Sequence, residues 1–222
     1  MEYRSWAQDL GEGVDVRAVR LPGRESRLQE PAFDRVEPLV DALIEAIGER
    51  LKRPYALFGH SMGALVAFEL ARELRRRAGP APAHLFLSGR SSPRFPDPPQ
   101  AVHLLPDADF IDYLRTLKGT PEVILADPGM REVFFPTLRA DFAVCAQYRY
   151  RVEPPLDLPI TVFGGSRDFE RGPELLEEWK RETSAPFGLH ILPGDHFFVR
   201  TAKPQLLSLL RRELDRTAGP PR

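Results

Sequence analysis

The chain has 222 residues, 42% hydrophobic and 28% charged, which gives material for a core and excludes a disordered class. A net charge of -1 argues against a nucleic-acid binder working through a basic face, and a single cysteine, Cys145, excludes an internal disulfide framework and fits a reducing cytoplasm. No apolar run approaches the ~18 residues of a membrane span, and no signal peptide precedes the first helix. The expectation is a soluble cytoplasmic protein that engages neither membrane nor nucleic acid, monomeric by default.

Met1 to Leu10 reads as a helix, with Tyr3, Trp6, Ala7 and Leu10 at helical spacing. Val14 to Val19 alternates and reads as a strand, stopped by Leu21-Pro22-Gly23. After a polar loop, Arg24 to Glu30, a helix begins near Asp34. Its stripe is Val36, Leu39, Val40, Leu43, Ile47 and Leu51.

Next comes Tyr55-Ala56-Leu57-Phe58-Gly59-His60-Ser61-Met62-Gly63-Ala64-Leu65: an apolar run, a sharp turn and an apolar helical pattern, with G-x-S-x-G at the turn. A serine hydroxyl becomes a useful nucleophile when it is lifted out of the packed backbone and held beside a base. A strand-to-helix corner does this, at the cost of bringing backbone and helix close together, so Gly59 and Gly63 are read as places where a side chain collides. The following helix adds the N-terminal end of its dipole, and the Met62 amide is read as the oxyanion donor. The bland alternative is a buried serine at an ordinary strand-to-helix turn. The flanking strand and helix favour the nucleophile.

A helix from Gly63 to about Arg77 follows, and Arg75-Arg76-Arg77 reads as its solvated end, where positive charge suits the dipole. Ala83 to Leu87 is the next strand, so the order β-α-β-α-β implies a parallel sheet with helices on both faces. The rhythm then breaks. Ser91 to Gln100 is proline-rich, and Asp107 to about Tyr150 reads as three helices, the first capped by Asp107 and the third kinked at Pro136. Apolar residues of the third helix, among them Val133, Phe134, Phe135, Leu138, Phe142 and Val144, do not keep to one stripe. That pattern fits a lid over an acyl chain, or a well-buried core helix. Cys145 in this helix reads as a small core residue. The α/β rhythm resumes with a strand at Ile160 to Phe163, a helix from Pro173 to about Thr183, a strand at Phe187 to Leu192, a loop at Pro193 to Phe198 and a last helix from Pro204. Thr217 to Arg222 reads as a frayed tail.

Reactive groups in parallel sheets gather at the carboxyl ends of the strands. Three strand ends offer Ser61, Asp168 and His196, in the chain order of an α/β-hydrolase. Ser61 is read as the nucleophile, His196 as the base that takes and returns its proton, and Asp168 as the group that orients the imidazole. Asp195 and Asp141 are the competing acids: one is next to His196 in sequence, where side-on geometry is rare, and the other is mid-helix. Among the other histidines, His60 is read as important through its backbone more than its ring. His84, His190 and His103 are read as structural or surface residues.

With these residues in place the chain resembles the type II thioesterases that accompany polyketide and non-ribosomal peptide synthases. The resemblance rests on Leu21-Pro22-Gly23-Arg24-Glu25, on Phe58 to Ala64, on Leu138-Arg139-Ala140-Asp141-Phe142, and on Gly188 to Phe198 with its terminal His-Phe-Phe. It implies an α/β-hydrolase core over 1–90 and 151–216, and a helical lid inserted at 91–150. It also implies hydrolysis of acyl groups from the phosphopantetheine thiol of carrier-protein domains of a modular synthase, through an acyl-serine. No cofactor beyond that substrate-borne arm is implied. Phe134, Leu138, Phe142 and Phe197 are the residues expected to meet the acyl chain.

Two departures stand out. Asp195 replaces a common glycine, and the apolar strand and Ala-Gly-Gly type loop that normally precede the opening helix are absent. That loop supplies a second oxyanion amide, worth ~10²–10³ in rate. The expectation is an N-terminally truncated sequence whose missing strand belongs between Val14 and Tyr55. Arg17, Arg20 and Arg24 are noted as exposed cations able to meet an acidic carrier. The rival readings are a serine esterase or acyl-CoA hydrolase of the same fold, and a non-catalytic protein that holds acyl-carriers.

Overall fold

The computed structural model describes residues 3, 5–95, 101–168 and 172–218. The start of the opening helix, the proline-rich 96–100 and the tail at 219–222 lie outside these residues. In chain order the elements are α1 (Trp6–Leu10), α2 (Val36–Ile47), β1 (Ala56–His60), α3 (Met62–Arg76), β2 (His84–Ser88), α4 (Asp107–Leu117), α5 (Glu122–Ala126) and α6 (Pro128–Gln147). There follow β3 (Ile160–Gly165), α7 (Pro173–Glu177), β4 (Phe187–Leu192), α8 (Phe198–Thr201) and α9 (Lys203–Ala218). They form two compact units. One comprises Met1–Val19, Leu43–Phe95 and Val152–Arg222, and the other Arg20–Ala42 and Pro96–Arg151. Residues 20–42 thus cluster with the inserted helices, where the sequence reading grouped them with the core.

In the first unit β1, β2, β3 and β4 form a parallel sheet in that order. Alternation along each strand divides the side chains between two faces. Gly59 faces α3 on one side, while Phe58, Phe86 and Phe163 join Trp6, Leu206 and Leu210 on the other. Helices therefore cover both faces, as the α/β rhythm implies. Trp6 and Tyr3 meet Phe58 edge-on at ring-centroid separations of 4.8 and 5.9 Å.

Several sequence expectations are corrected in this unit. Val14 to Val19 is not a strand. Val14 and Val16 turn inward against the core as the alternation suggests, but no described strand offers the segment a ladder partner. Alternation reports a face to be buried; a strand also needs a neighbour's amides and carbonyls. Arg211 instead grips the carbonyls of Leu10 and Glu12 just before it. The helix at Pro173 gives way to a 3₁₀ turn over Glu178–Glu182, which seats the buried Trp179 with its indole N–H on the Arg90 carbonyl at 2.7 Å. Thr217 is helical rather than frayed. Its hydroxyl reaches the Glu213 carbonyl at 2.8 Å and the ring of buried His84 at 3.1 Å. Arg75, Arg76 and Arg77 are not simply solvated: with buried Arg72 they bind Glu69, Glu73 and Glu153 in one ionic network.

In the second unit Phe110 is the centre, meeting Phe135 and Phe142 edge-on at 5.2 and 5.8 Å. Arg139 lies over its ring at 4.3 Å and binds the Asp107 carboxylate at 2.7 Å. Asp107 is therefore the first residue of α4 and an ion-pair partner, not its cap. The side chain that caps is Asp127, which accepts the Met130 amide and starts α6. That helix runs on across Pro136, and Cys145 in it is half-buried rather than core. Two stretches that carry the family resemblance meet here. Arg24 holds Asp141 through its two terminal guanidinium nitrogens, at 2.7 and 3.2 Å, and Thr137 donates to the Gly23 carbonyl at 2.6 Å. Among the described residues no helix is long and apolar enough to cross a membrane.

Candidate active site

The site is built where β1, β3 and β4 end, all within the first unit. Ser61 follows β1 with φ 54°, in the left-handed region that L-residues rarely adopt. Its amide donates to the Ser88 carbonyl at 2.8 Å, which carries the β1–β2 ladder one step past the strand and pins the turn. The next residue opens α3. A Cβ on Gly59 would stand 1.9 Å from the Gly63 carbonyl oxygen, so only glycine permits the turn at that position. At Gly63 itself a Cβ meets nothing within 4 Å, so the expected collision there is absent. The Met62 amide belongs to the first turn of α3, where an N–H has no acceptor in its own helix.

Asp168 is set by the turn after β3. The Ser166 amide donates to the Leu192 carbonyl at 2.8 Å, and the Arg167 amide donates to the Gly194 carbonyl at 2.8 Å. The Asp168 amide bonds back to Gly165. These bonds lash the β3 turn to the loop after β4, which carries His196. Asp168 is buried at 7% exposure, and its Oδ2 lies 2.8 Å from His196 Nδ1. His196 Nε2 lies 3.1 Å from Ser61 Oγ. The structure thus brings Ser61, His196 and Asp168 into one hydrogen-bonded line.

The competing carboxylates have other partners. Asp195 accepts the Phe197 amide at 3.0 Å and shapes its own turn, while Asp141 binds Arg24 in the second unit. Of the four residues expected to meet an acyl chain, Phe197 alone shares a unit with Ser61, and its ring stands edge-on to His196 at 5.3 Å. Leu138 and Phe142 pack against the second unit's own cluster around Phe110, and Phe134 is half-buried on the same helix. Arg24, read as a free cation, is spent on Asp141.

Reasoning from sequence missed the His60 ring. It is not a bystander to its backbone: Nδ1 lies 3.0 Å from Ser88 Oγ, and the ring centroid is 5.0 Å from that of His196. The signal was available, because period-two alternation puts His60 on the same face as Phe58. Burial pushes its pKa down to about 3, and repulsion from a protonated His196 and from Arg200 adds to the effect. His84, stacked on Phe86 and bonded to Thr161 and Thr217, is lowered to about 4 by burial.

A nucleophile-ready hydroxyl, an imidazole, a buried carboxylate and a helix-start amide at one sheet end are the parts of acyl transfer. Residues 1–214 match the thioesterase domain. The chain belongs to the thioesterase family. A relative from Brevibacillus parabrevis, linear gramicidin dehydrogenase LgrE, is 45% identical over 96% of this chain and 82% of its own. No G-x-G-x-x-G dinucleotide turn occurs in the present sequence. Among solved structures, the RedJ thioesterase of the prodiginine pathway in Streptomyces coelicolor superposes with a TM-score of 0.88 at 40% identity, covering 96% of this chain and 80% of that one. The type II thioesterase BorB of the borrelidin cluster gives 0.87 at 35%, covering 96% and 86%. This thioesterase therefore shares its fold with thioesterases of the prodiginine and borrelidin pathways, and it spans 80% and 86% of those chains.

Proposed function

We propose that this thioesterase is an editing enzyme of the type II class. It removes acyl groups from the phosphopantetheine thiol of carrier-protein domains in a polyketide or non-ribosomal peptide synthase, acting in the cytoplasm. The observation that carries the reading is the Ser61–His196–Asp168 line, at 3.1 and 2.8 Å, inside a family match over residues 1–214.

Ser61 Oγ attacks the thioester carbonyl as its proton passes to His196 Nε2. Asp168 holds Nδ1–H and stabilises the imidazolium. The Met62 amide stabilises the oxyanion, aided by the start of α3. Collapse expels the pantetheine thiolate, which takes the proton from His196. Water, deprotonated by the same imidazole, then attacks the acyl-Ser61 ester, giving free acid and regenerated serine. Phe197 offers an apolar edge to the acyl chain beside the reacting carbonyl. The chemistry needs no cofactor of the enzyme's own, since the pantetheine arrives with its substrate.

Single-turnover hydrolysis of a propionyl-loaded carrier protein, followed by intact mass, tests this. Loss of the propionyl mass with the native chain and its retention with Ser61→Ala is the expected result. Equal loss with both proteins overturns the assignment.

A further inference from the structure

We propose that His60 is a positioning residue for His196. Its neutral ring, tethered to Ser88, is the wall that fixes the tilt of the general base and keeps water from its face. The inference rests on the acyl-transfer reading above.

The two hydrogen bonds of His196 run through its two nitrogens, one to Ser61 and one to Asp168, both in the ring plane. Together they define an axis and leave the ring free to rock about it. Something must stand against its face. Phe197 meets the ring edge-on, and His60 lies on another side at 5.0 Å with the planes 45° apart. His60 is itself held on every side. Ser88 Oγ takes Nδ1, Phe198 meets the ring edge-on at 5.7 Å, and the backbone of Gly89 closes the remaining side. A Cβ at Gly89, whose φ is +60°, would stand 2.5 Å from His60 Cε1 and 3.4 Å from His196 Cε1. Only a bare backbone lets the two rings share that space.

His60 Nε2 is sealed from solvent and makes no hydrogen bond of normal geometry among the described residues. Such a site is poorly suited to a second proton. The charged or ionisable groups that face it are His196, Arg200 on α8, whose guanidinium lies 5.1 Å over the Phe197 ring, and, through His196, Asp168. Burial, the Arg200 guanidinium and, once it is protonated, His196 all disfavour a charged His60; the backbone of His196 pulls the other way. His60 therefore stays neutral while His196 gains its proton, and the imidazolium faces no competing charge on that side.

Three variants read this out with propionyl-N-acetylcysteamine, each normalised to the fraction labelled by a fluorophosphonate. His60→Ala opens the wall to water. Turnover should fall roughly 10- to 100-fold with KM little changed, the scale of a misplaced catalytic group. The acidic limb of kcat/KM should move to higher pH, because a hydrated imidazolium is stabilised. His60→Phe restores a ring but not the Ser88 bond, and should recover much of kcat and the native limb. Ser88→Ala frees Nδ1 without touching His196, and should give a smaller loss in the same direction. Native kcat and limb in folded His60→Ala, or in folded Ser88→Ala should His60→Ala not fold, overturn the proposal. Hydrolysis that survives Ser61→Ala instead overturns the acyl-serine reading on which it rests.

Discussion

Each of the two units of this thioesterase is stabilised internally by a different means. The loops that end β1, β3 and β4 are fixed by backbone: Ser61, Ser166 and Arg167 each donate an amide to a carbonyl of a neighbouring strand or loop, and Asp168 donates to Gly165 in its own turn. Their shape is steric and allows little variation. The helical unit relies on side chains, with rings meeting edge-on around Phe110 and arginines clasping Asp107 and Asp141. Contacts of the second kind are numerous and individually modest, so losing one weakens the unit by degrees. Contacts of the first kind set whether a hydroxyl, an imidazole and a carboxylate meet at all. Changes at the sheet ends should therefore remove activity with little warning, while changes in the helices should lower stability gradually.

Ser61→Ala gives the largest expected effect, a loss of roughly 10⁴- to 10⁶-fold in turnover with melting temperature nearly unchanged, read by intact-mass kinetics. Asp168→Asn should follow at about 10⁴-fold, since an amide mis-sets the imidazole tautomer while preserving shape. Gly59→Ala separates geometry from chemistry. The added methyl meets the Gly63 carbonyl, and destabilisation above about 3 kcal/mol by urea unfolding is expected. Asp141→Asn in the helical unit should cost about 1–2 kcal/mol, between an exposed and a buried pair, because both partners are about a quarter to a third exposed. A comparable loss from Asp141→Asn and Gly59→Ala breaks the contrast between the units.

A pH dependence completes the set. His84 has its folded pKa depressed from 6.5 to about 4. Between those values the unfolded chain binds more protons, so its contribution is fully present above pH ~6.5 and is lost as pH falls toward 4. Urea midpoints should drop over that window. The drop should be shallower in His84→Asn, with His60 accounting for part of what remains.

Much of this was legible in the sequence. The turn Gly59-His60-Ser61-Met62-Gly63 announced a strand-to-helix corner because glycine spacing and the change from period two to helical period coincide there. The order Ser61, Asp168, His196 followed from three strand ends, and the structure brings those side chains together. What escaped was whatever depends on a distant partner. Val14 to Val19 has the alternation of a strand, but no sequence pattern reports whether a neighbouring edge is there to receive it. Arg24, Arg75 and Arg76 looked like free cations because Asp141 and Glu153 are remote in the chain, whereas Arg77 has its partner Glu73 one turn away. The His60 ring is easily set aside because a residue inside the turn cannot readily fold back on Ser61, although the alternation of β1 already gives its direction toward the face of Phe58.

The central claim is that Ser61 is a nucleophile activated by His196. The most direct measurement is the rate and site of labelling by a fluorophosphonate near pH 7.5, mapped by peptide mass for the native chain and for His196→Ala. The account predicts one adduct, on the peptide containing Ser61, forming orders of magnitude more slowly in the variant. An adduct at another residue, or equal rates in both proteins, would contradict it.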